Sequence, residues 1–287
     1  MVSYYLVNHG LHRFSHNFFT FIFYTPWYLI KILMQRRKLS VICAAYLFLV
    51  TCAELLTIYD AKYGIVLYAF ILFALLIHSA STLTTDREFS RLLVVLILAP
   101  LIRILSLSLP LTHFNYITWF VLISIPIYLA IFTCLHIQRI KPQDVALSLP
   151  KLQHLPLELA TILFAVPFGI LEYQVLKPGI LVEPSFEALI IPALVIITCT
   201  GFLEELAFRG LMQYHATRTM GFSGIIFISI LFGFLHIGNL SIFDVLLAGG
   251  IGFLYSLVVR KTGSLFGVSV SHGVINIMLF LIAPAYF

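Results

Sequence analysis

The sequence predicts an all-α protein, a polytopic integral membrane bundle of about eight to ten transmembrane helices with an internal polar cavity. Three observations carry that expectation. Of the 287 residues, 61% are hydrophobic and only 10% charged, whereas a soluble globular domain carries roughly a quarter charged residues. Apolar stretches of about 18 or more residues, the length needed to cross the hydrocarbon, recur along the whole chain. The basic residues, finally, fall almost entirely on one side of the alternating connections.

Candidate spans lie at roughly 17–34, 40–58, 64–83, 92–109, 115–136, 158–175, 186–208, 222–237, 243–260 and 264–284. If the connections alternate sides, one side receives Arg36, Arg37, Lys38, Arg87, Arg91, Arg139, Lys141, Lys151, Arg209, Arg218, Arg260 and Lys261. The other receives only Lys62 and Lys177 between spans. The positive-inside rule puts the first group in the cytoplasm. It also accounts for the basic excess, so no nucleic-acid partner is implied. The first segment contains Pro26 and Lys31 and either crosses or lies along the interface. Met1 to His16 is polar with no cleavage site after an apolar core, so no cleavable signal peptide is expected. Cys43, Cys52, Cys134 and Cys199 all lie in apolar runs without paired spacing and read as buried free thiols.

The chain has a seam. "IQRIKPQDVALSLPKLQHLP", 137–156, is its longest polar connection. The sequence therefore divides into an N-terminal transmembrane region of unassigned role (1–136), a cytoplasmic connection (137–157) and a C-terminal transmembrane core (158–287). Nearly all the unusual polar residues belong to that core.

In "GFLEELAFRG", 201–210, Glu205 and Arg209 stand at i and i+4 with the glutamate N-terminal, the favoured order for a helical pair. Glu204 is rotated about 100° away, into other surroundings. Both could mark the cytoplasmic end of a span. Glu204 fits that reading less well, because "ALIIPALVIITCTGFL" runs into it without a polar buffer. A carboxylate in apolar surroundings without a local cation is placed to take a proton, as a general base must. "FGFLHIGN", 232–239, ends an apolar segment with His236 four residues after Phe232. "HGVIN" places His272 and Asn276 at i and i+4 on one face of an otherwise apolar span. Such a face needs partners inside the bundle, and an interhelical hydrogen bond is the plain structural explanation.

The ordered set "EELAFR", "FGFLH" and "HGVIN" resembles the three motifs of the CAAX-protease and bacteriocin-processing family (CPBP, or Abi), related to the type II CAAX prenyl proteases. "GGIGFLYSLVVRKTGSL", 249–265, looks like that family's glycine-bearing span and turn, and the likeness runs over about 140–284. The resemblance implies an intramembrane endopeptidase, of glutamic or metallo type. It would hydrolyse a peptide bond of a membrane-associated protein or peptide, prenylated or not. Glu204 would activate water, helped by His236. His272 and Asn276 would stabilise the developing oxyanion. Glu205 would pair with Arg209 to hold the scaffold, with Phe232 supporting the site. No cofactor is favoured. Zinc on Glu204, His236 and His272, with water in the open position, is the alternative. A catalytically silent scaffold or bacteriocin-immunity protein, and a proton-coupled transporter, are the remaining readings.

Depth raises a difficulty. With straight helices bounded as above, Glu204 lies near the cytoplasmic surface while His236 lies roughly 20 Å along its segment. Either the helix carrying Glu204 extends beyond 208, or 222–237 is tilted or re-entrant and lines a cavity open to the cytoplasm. Glu54, His78, Arg103 and Glu172 are expected to be interhelical pairs or snorkelling side chains. His9, His12 and His16 read as a solvated tail, and Trp27 and Trp119 as interfacial anchors.

Overall fold

Short polar side chains in the loops start the helices. Asp60, Asp86, Asn115, Ser185 and Ser241 each accept a hydrogen bond from a backbone N–H two or three residues on, satisfying one of the donors a helix start leaves open. The computed structural model describes residues 39–109, 114–182 and 185–286. The chain divides into the units Met1–Ala44 and Ala45–Phe287. The candidate segment 17–34, the histidine tail and Trp27 lie outside the described residues.

Among the described residues, nine helices are long and apolar enough to cross a membrane. They are α1 (Leu39–Tyr59), α2 (Ala61–Thr82), α3 (Arg87–Ser108), α4 (Tyr116–Gln138), α5 (Leu152–Leu176), α6 (Glu187–Met220), α7 (Phe222–Asn239), α8 (Ile242–Thr262) and α9 (Phe266–Tyr286). No strand occurs among these residues. The protein is an all-helical integral membrane bundle. The polar connection before α5 contains a short 3₁₀ turn, Pro142–Val145, and α5 itself opens with a 3₁₀ turn at Leu152–His154. The four cysteines are unpaired.

One expected boundary is wrong in a way that matters. The span drawn to end at 208 continues to Met220, giving a 34-residue helix of ~51 Å. Glu204 therefore lies near the middle of α6. The polar run "QYHATR" looks like a cytoplasmic loop, yet Gln213, His215 and Ala216 are buried. Gln213 Nε2 donates to Ser256 O of α8 at 3.0 Å, and Arg218 Nε donates to Glu88 Oε2 of α3 at 2.9 Å. Partners on neighbouring helices, absent from any local pattern, extend α6 beyond its apolar stretch.

The core of the unit is assembled by close backbone approaches. A Cβ built on Gly201 of α6 would sit 2.6 Å from Gly273 N and 2.7 Å from Ser269 O of α9, and one on Gly273 would sit 2.7 Å from Ile197 Cγ1. Small residues at a helix crossing permit this contact in a membrane, where apolar side chains gain little by leaving lipid. Gly273→Ala should cost about 1–3 kcal/mol through overpacking. A lower unfolding temperature in detergent would register it, and an unchanged one would mean the crossing relaxes freely.

Candidate active site

The Gly201–Gly273 crossing brings the first and third motifs together. α6 carries π-helical stretches at Ile197–Phe202 and Leu206–Met212, with only Leu203–Glu205 in α-helical bonding between them. Single π-turns inside α-helices recur at functional sites because they re-aim side chains. Here they flank both glutamates.

Glu205 is fully buried. Its Oε1 accepts from Arg209 Nη1 at 3.0 Å, the pairing expected from the i, i+4 spacing, and also lies 2.8 Å from His272 Nδ1 of α9. That second contact was not foreseen. Arg209 is buried too, with its Cζ 4.1 Å from the centre of the Phe232 ring and Nε 3.4 Å from Gly252 O. Gly252, from the glycine-bearing span of α8, leaves the room Arg209 Nη2 occupies.

Glu204 points elsewhere. Its side chain retains 30% of its surface, and its Oε2 stands 3.8 Å from His272 Nε2. That gap is too long for a direct hydrogen bond. His272 thus lies between the two glutamates, one at each ring nitrogen.

The second motif joins through Phe232. The ring of Phe232 lies 5.0 Å from that of His236 and 6.0 Å, edge-on, from that of His272. His236 Nδ1 is 2.9 Å from Phe232 O. A carbonyl oxygen only accepts, so this contact puts the hydrogen on Nδ1 and leaves Nε2 of a neutral ring as a bare acceptor. Asn276 Nδ2 donates to Thr200 Oγ1 at 2.9 Å, and that hydroxyl donates to Ile196 O at 2.6 Å. The committed hydroxyl orients the amide and leaves its second N–H free of this contact.

Glu204, Glu205, Arg209, Phe232, His236 and His272 are linked by the contacts above, and Asn276 is fixed to the same stretch of α6. Among the described residues, no group of three or more His, Cys, Asp or Glu side chains is arranged to hold a metal ion. The candidate zinc set Glu204, His236 and His272 is not among such groups.

Some neighbours were missed. Thr200 precedes Glu204 by four residues and so shares its helix face, which is a usable signal. Glu172 of α5 was read as an interhelical or snorkelling residue, and it lies within electrostatic range of Glu204, His272 and Asp244. Asp244 is buried in the first turn of α8, accepting from Asn239 Nδ2 at 2.8 Å. Nothing in the local sequence distinguishes it from a helix-capping acid. Glu158, also buried, accepts from Gly267 N at the start of α9. A cavity of about 360 Å³ lies between the 142–146 turn and α6, lined by Gln143, Asp144, Arg209, Gln213, Tyr214 and Arg260 among others.

Residues 186–278 match the protein-family model described as type II CAAX prenyl endopeptidase Rce1-like. The matched segment contains all three motifs and bears out the resemblance read from them, over a shorter stretch than 140–284. It supports a CAAX-type endopeptidase activity in general terms, acting on a peptide or membrane protein in the bilayer. No curated protein and no solved structure matches the chain.

Proposed function

We propose that the protein is an intramembrane endopeptidase that hydrolyses a peptide bond with water activated by Glu204, without a metal. The observation that carries this reading is the opposed placement of the two glutamates about His272. Glu205 is buried with its Oε1 shared by Arg209 and His272 Nδ1, while Glu204 is accessible and 3.8 Å from Nε2. A gap of that size beside a carboxylate admits a water or a substrate oxygen.

Glu204 takes a proton from the attacking water as its oxygen bonds to the scissile carbonyl carbon. The bare Nε2 of His236 accepts the water's other hydrogen and helps aim it. Negative charge develops on the carbonyl oxygen. It is met by the free N–H of Asn276 and by His272, whose Nε2 donates when the ring is protonated. Glu204 then passes the proton to the amide nitrogen and the C–N bond breaks, giving a carboxylic acid and an amine. The acid's proton, from the water's second hydrogen, passes to the amine as the products leave as carboxylate and ammonium. The basic-residue asymmetry supports access from the cytoplasmic side.

The direct test is cleavage of fluorogenic CAAX peptides, farnesylated and unmodified, by the purified protein before and after 1,10-phenanthroline treatment. Turnover that survives the chelator is expected. Loss of turnover restored by added zinc would overturn the metal-free mechanism, and no cleavage of either peptide would count against the CAAX-type substrate.

Thr200→Val removes the acceptor that fixes Asn276. Turnover should fall roughly 10-fold, less than the 10²–10³ expected for losing an oxyanion donor outright in Asn276→Ala. Comparing kcat for the two variants checks this ordering. Equal losses would mean Thr200 does more than orient the amide.

A further inference from the structure

We propose that the part-buried ion pair Glu54–Arg103, from the N-terminal spans, is a platform that positions His236 through the backbone of Gly238. The proposal rests on the function above, in which His236 takes part. It gives the N-terminal spans a task in the site.

The pair is built with unusual care for a lipid-embedded bundle. Arg103 of α3 donates from Nε to Glu54 Oε1 at 2.5 Å and from Nη2 to Oε2 at 2.8 Å, a bidentate geometry. Tyr68 of α2 donates its hydroxyl to the same Oε1. Glu54 is fully buried on α1, so three helices meet at one carboxylate. A pair with its carboxylate fully buried seldom stabilises more than apolar packing of equal volume, because that charge loses its water. What it supplies is fixed geometry. Glu54 and Arg103 were expected to be interhelical pairs, and they pair with each other. Their neighbour is what gives the pairing meaning.

That neighbour is the turn after His236. A Cβ built on Gly238 would come 2.9 Å from Glu54 Oε2 and 3.2 Å from Arg103 Nη2, so the bare backbone of residue 238 is pressed against the pair. The turn is tight, with His236 N bonded to Gly233 O and Asn239 N to His236 O, both at 3.0 Å. It closes at Leu240, which takes the left-handed conformation with φ 60°. Its far side is held by Asn239 Nδ2 on Asp244 Oδ2. His236 therefore leads a turn clamped at Gly238 by α1 and α3 and at Asn239 by α8. The ring's own polar anchor is its Nδ1 contact with Phe232 O, four residues back. Where Nε2 points is set by where this turn sits. Glu54, Arg103 and Gly238 are positioning residues, acting through His236.

The test uses the full chain in detergent, with Gly238→Ala pushing a methyl at the pair and Arg103→Lys removing its bidentate fork. Ser90→Ala is the control, deleting a buried bond from Ser90 Oγ to Ser79 O (2.7 Å) between α3 and α2. For each protein, kcat and KM on the CAAX peptide, the unfolding temperature, and the rate of diethyl pyrocarbonate modification of His236 relative to exposed His136 are measured, the last by mass spectrometry. Gly238→Ala and Arg103→Lys should each lower kcat about 10- to 100-fold with KM little changed, as for a misplaced catalytic group. Both should alter the relative modification rate of His236, while Ser90→Ala alters neither at a similar loss of unfolding temperature. An unaltered His236 rate in the two test variants overturns the platform, as does a Ser90→Ala control that reproduces their losses. If the wild type cuts nothing, or Glu204→Gln cuts as well as the wild type, the proposed function fails. The modification rates still decide the platform in that case.

Discussion

Glu204→Gln should abolish peptide hydrolysis while leaving the unfolding temperature near that of the wild type. The amide keeps the shape of the side chain and removes its ability to accept the proton of the attacking water. General-base contributions of this kind are worth about 10²–10⁴ in rate. Stability should be spared because Glu204 holds no neighbour in place. Its side chain is part exposed and its ionic partner, His272 Nε2, is 3.8 Å away. Substitutions at such positions usually change stability by less than about 0.5 kcal/mol. The comparison requires kcat/KM on the cleaved peptide and a thermal melt in the same detergent. Residual turnover within tenfold of the wild type would remove Glu204 from the role of base. A large drop in unfolding temperature would assign it to the scaffold instead.

Glu205→Ala should do the opposite first and the same second. Removing one member of a buried pair strands the other, at a cost of about 3–5 kcal/mol. Here the stranded group is Arg209, whose side chain is fully buried. Turnover should fall as well, on the order of 10²-fold, because His272 loses the acceptor at its Nδ1 and with it the orientation of Nε2. The pattern across variants separates the two effects. Glu205→Ala with Arg209→Ala removes both charges, and the double variant should be more stable than the sum of the single losses predicts. Turnover should stay low in the double variant, since His272 is still unsupported. Additive stability losses would mean the pair is not energetically coupled, and restored turnover would mean Glu205 acts only through Arg209.

The motif residues were legible because each obeys a local spacing rule. Glu205 and Arg209, or His272 and Asn276, share a face by helical periodicity alone. Spans were legible from apolar run length, and Glu54 and Arg103 could be assigned to pairs because an isolated charge is costly in lipid. What escaped were features set by neighbours distant in sequence. The end of α6 was misplaced because Gln213 and His215 are polar, and it is the neighbouring helices α3, α7 and α8 that supply the surroundings that bury that segment. The contact of Glu205 with His272 bridges 67 positions. It depends on Gly201 and Gly273 crossing, which no single-helix pattern encodes. The depth conflict among Glu204, His236 and His272 left two resolutions open, a longer α6 or a tilted or re-entrant 222–237, and α6 is the longer helix.

The two π-helical stretches of α6 have a consequence for how the helix tolerates change in length. Each π-turn closes its hydrogen bond one residue later than an α-turn, so it stores a residue that regular bonding would not need. Losing one residue from Leu206–Met212 would let α6 close as ordinary helix there, with its backbone bonding intact. The wide turn has already absorbed the extra residue, so the flanks on either side would keep their phase. Glu204 and Glu205 would still face α9, and Gln213 and Arg218 would still reach Ser256 and Glu88. The same deletion in an α-helical stretch would turn everything beyond it by about 100°. The π-turn is thus a place where the helix can lose a residue without uncoupling the glutamates from the anchors beyond them.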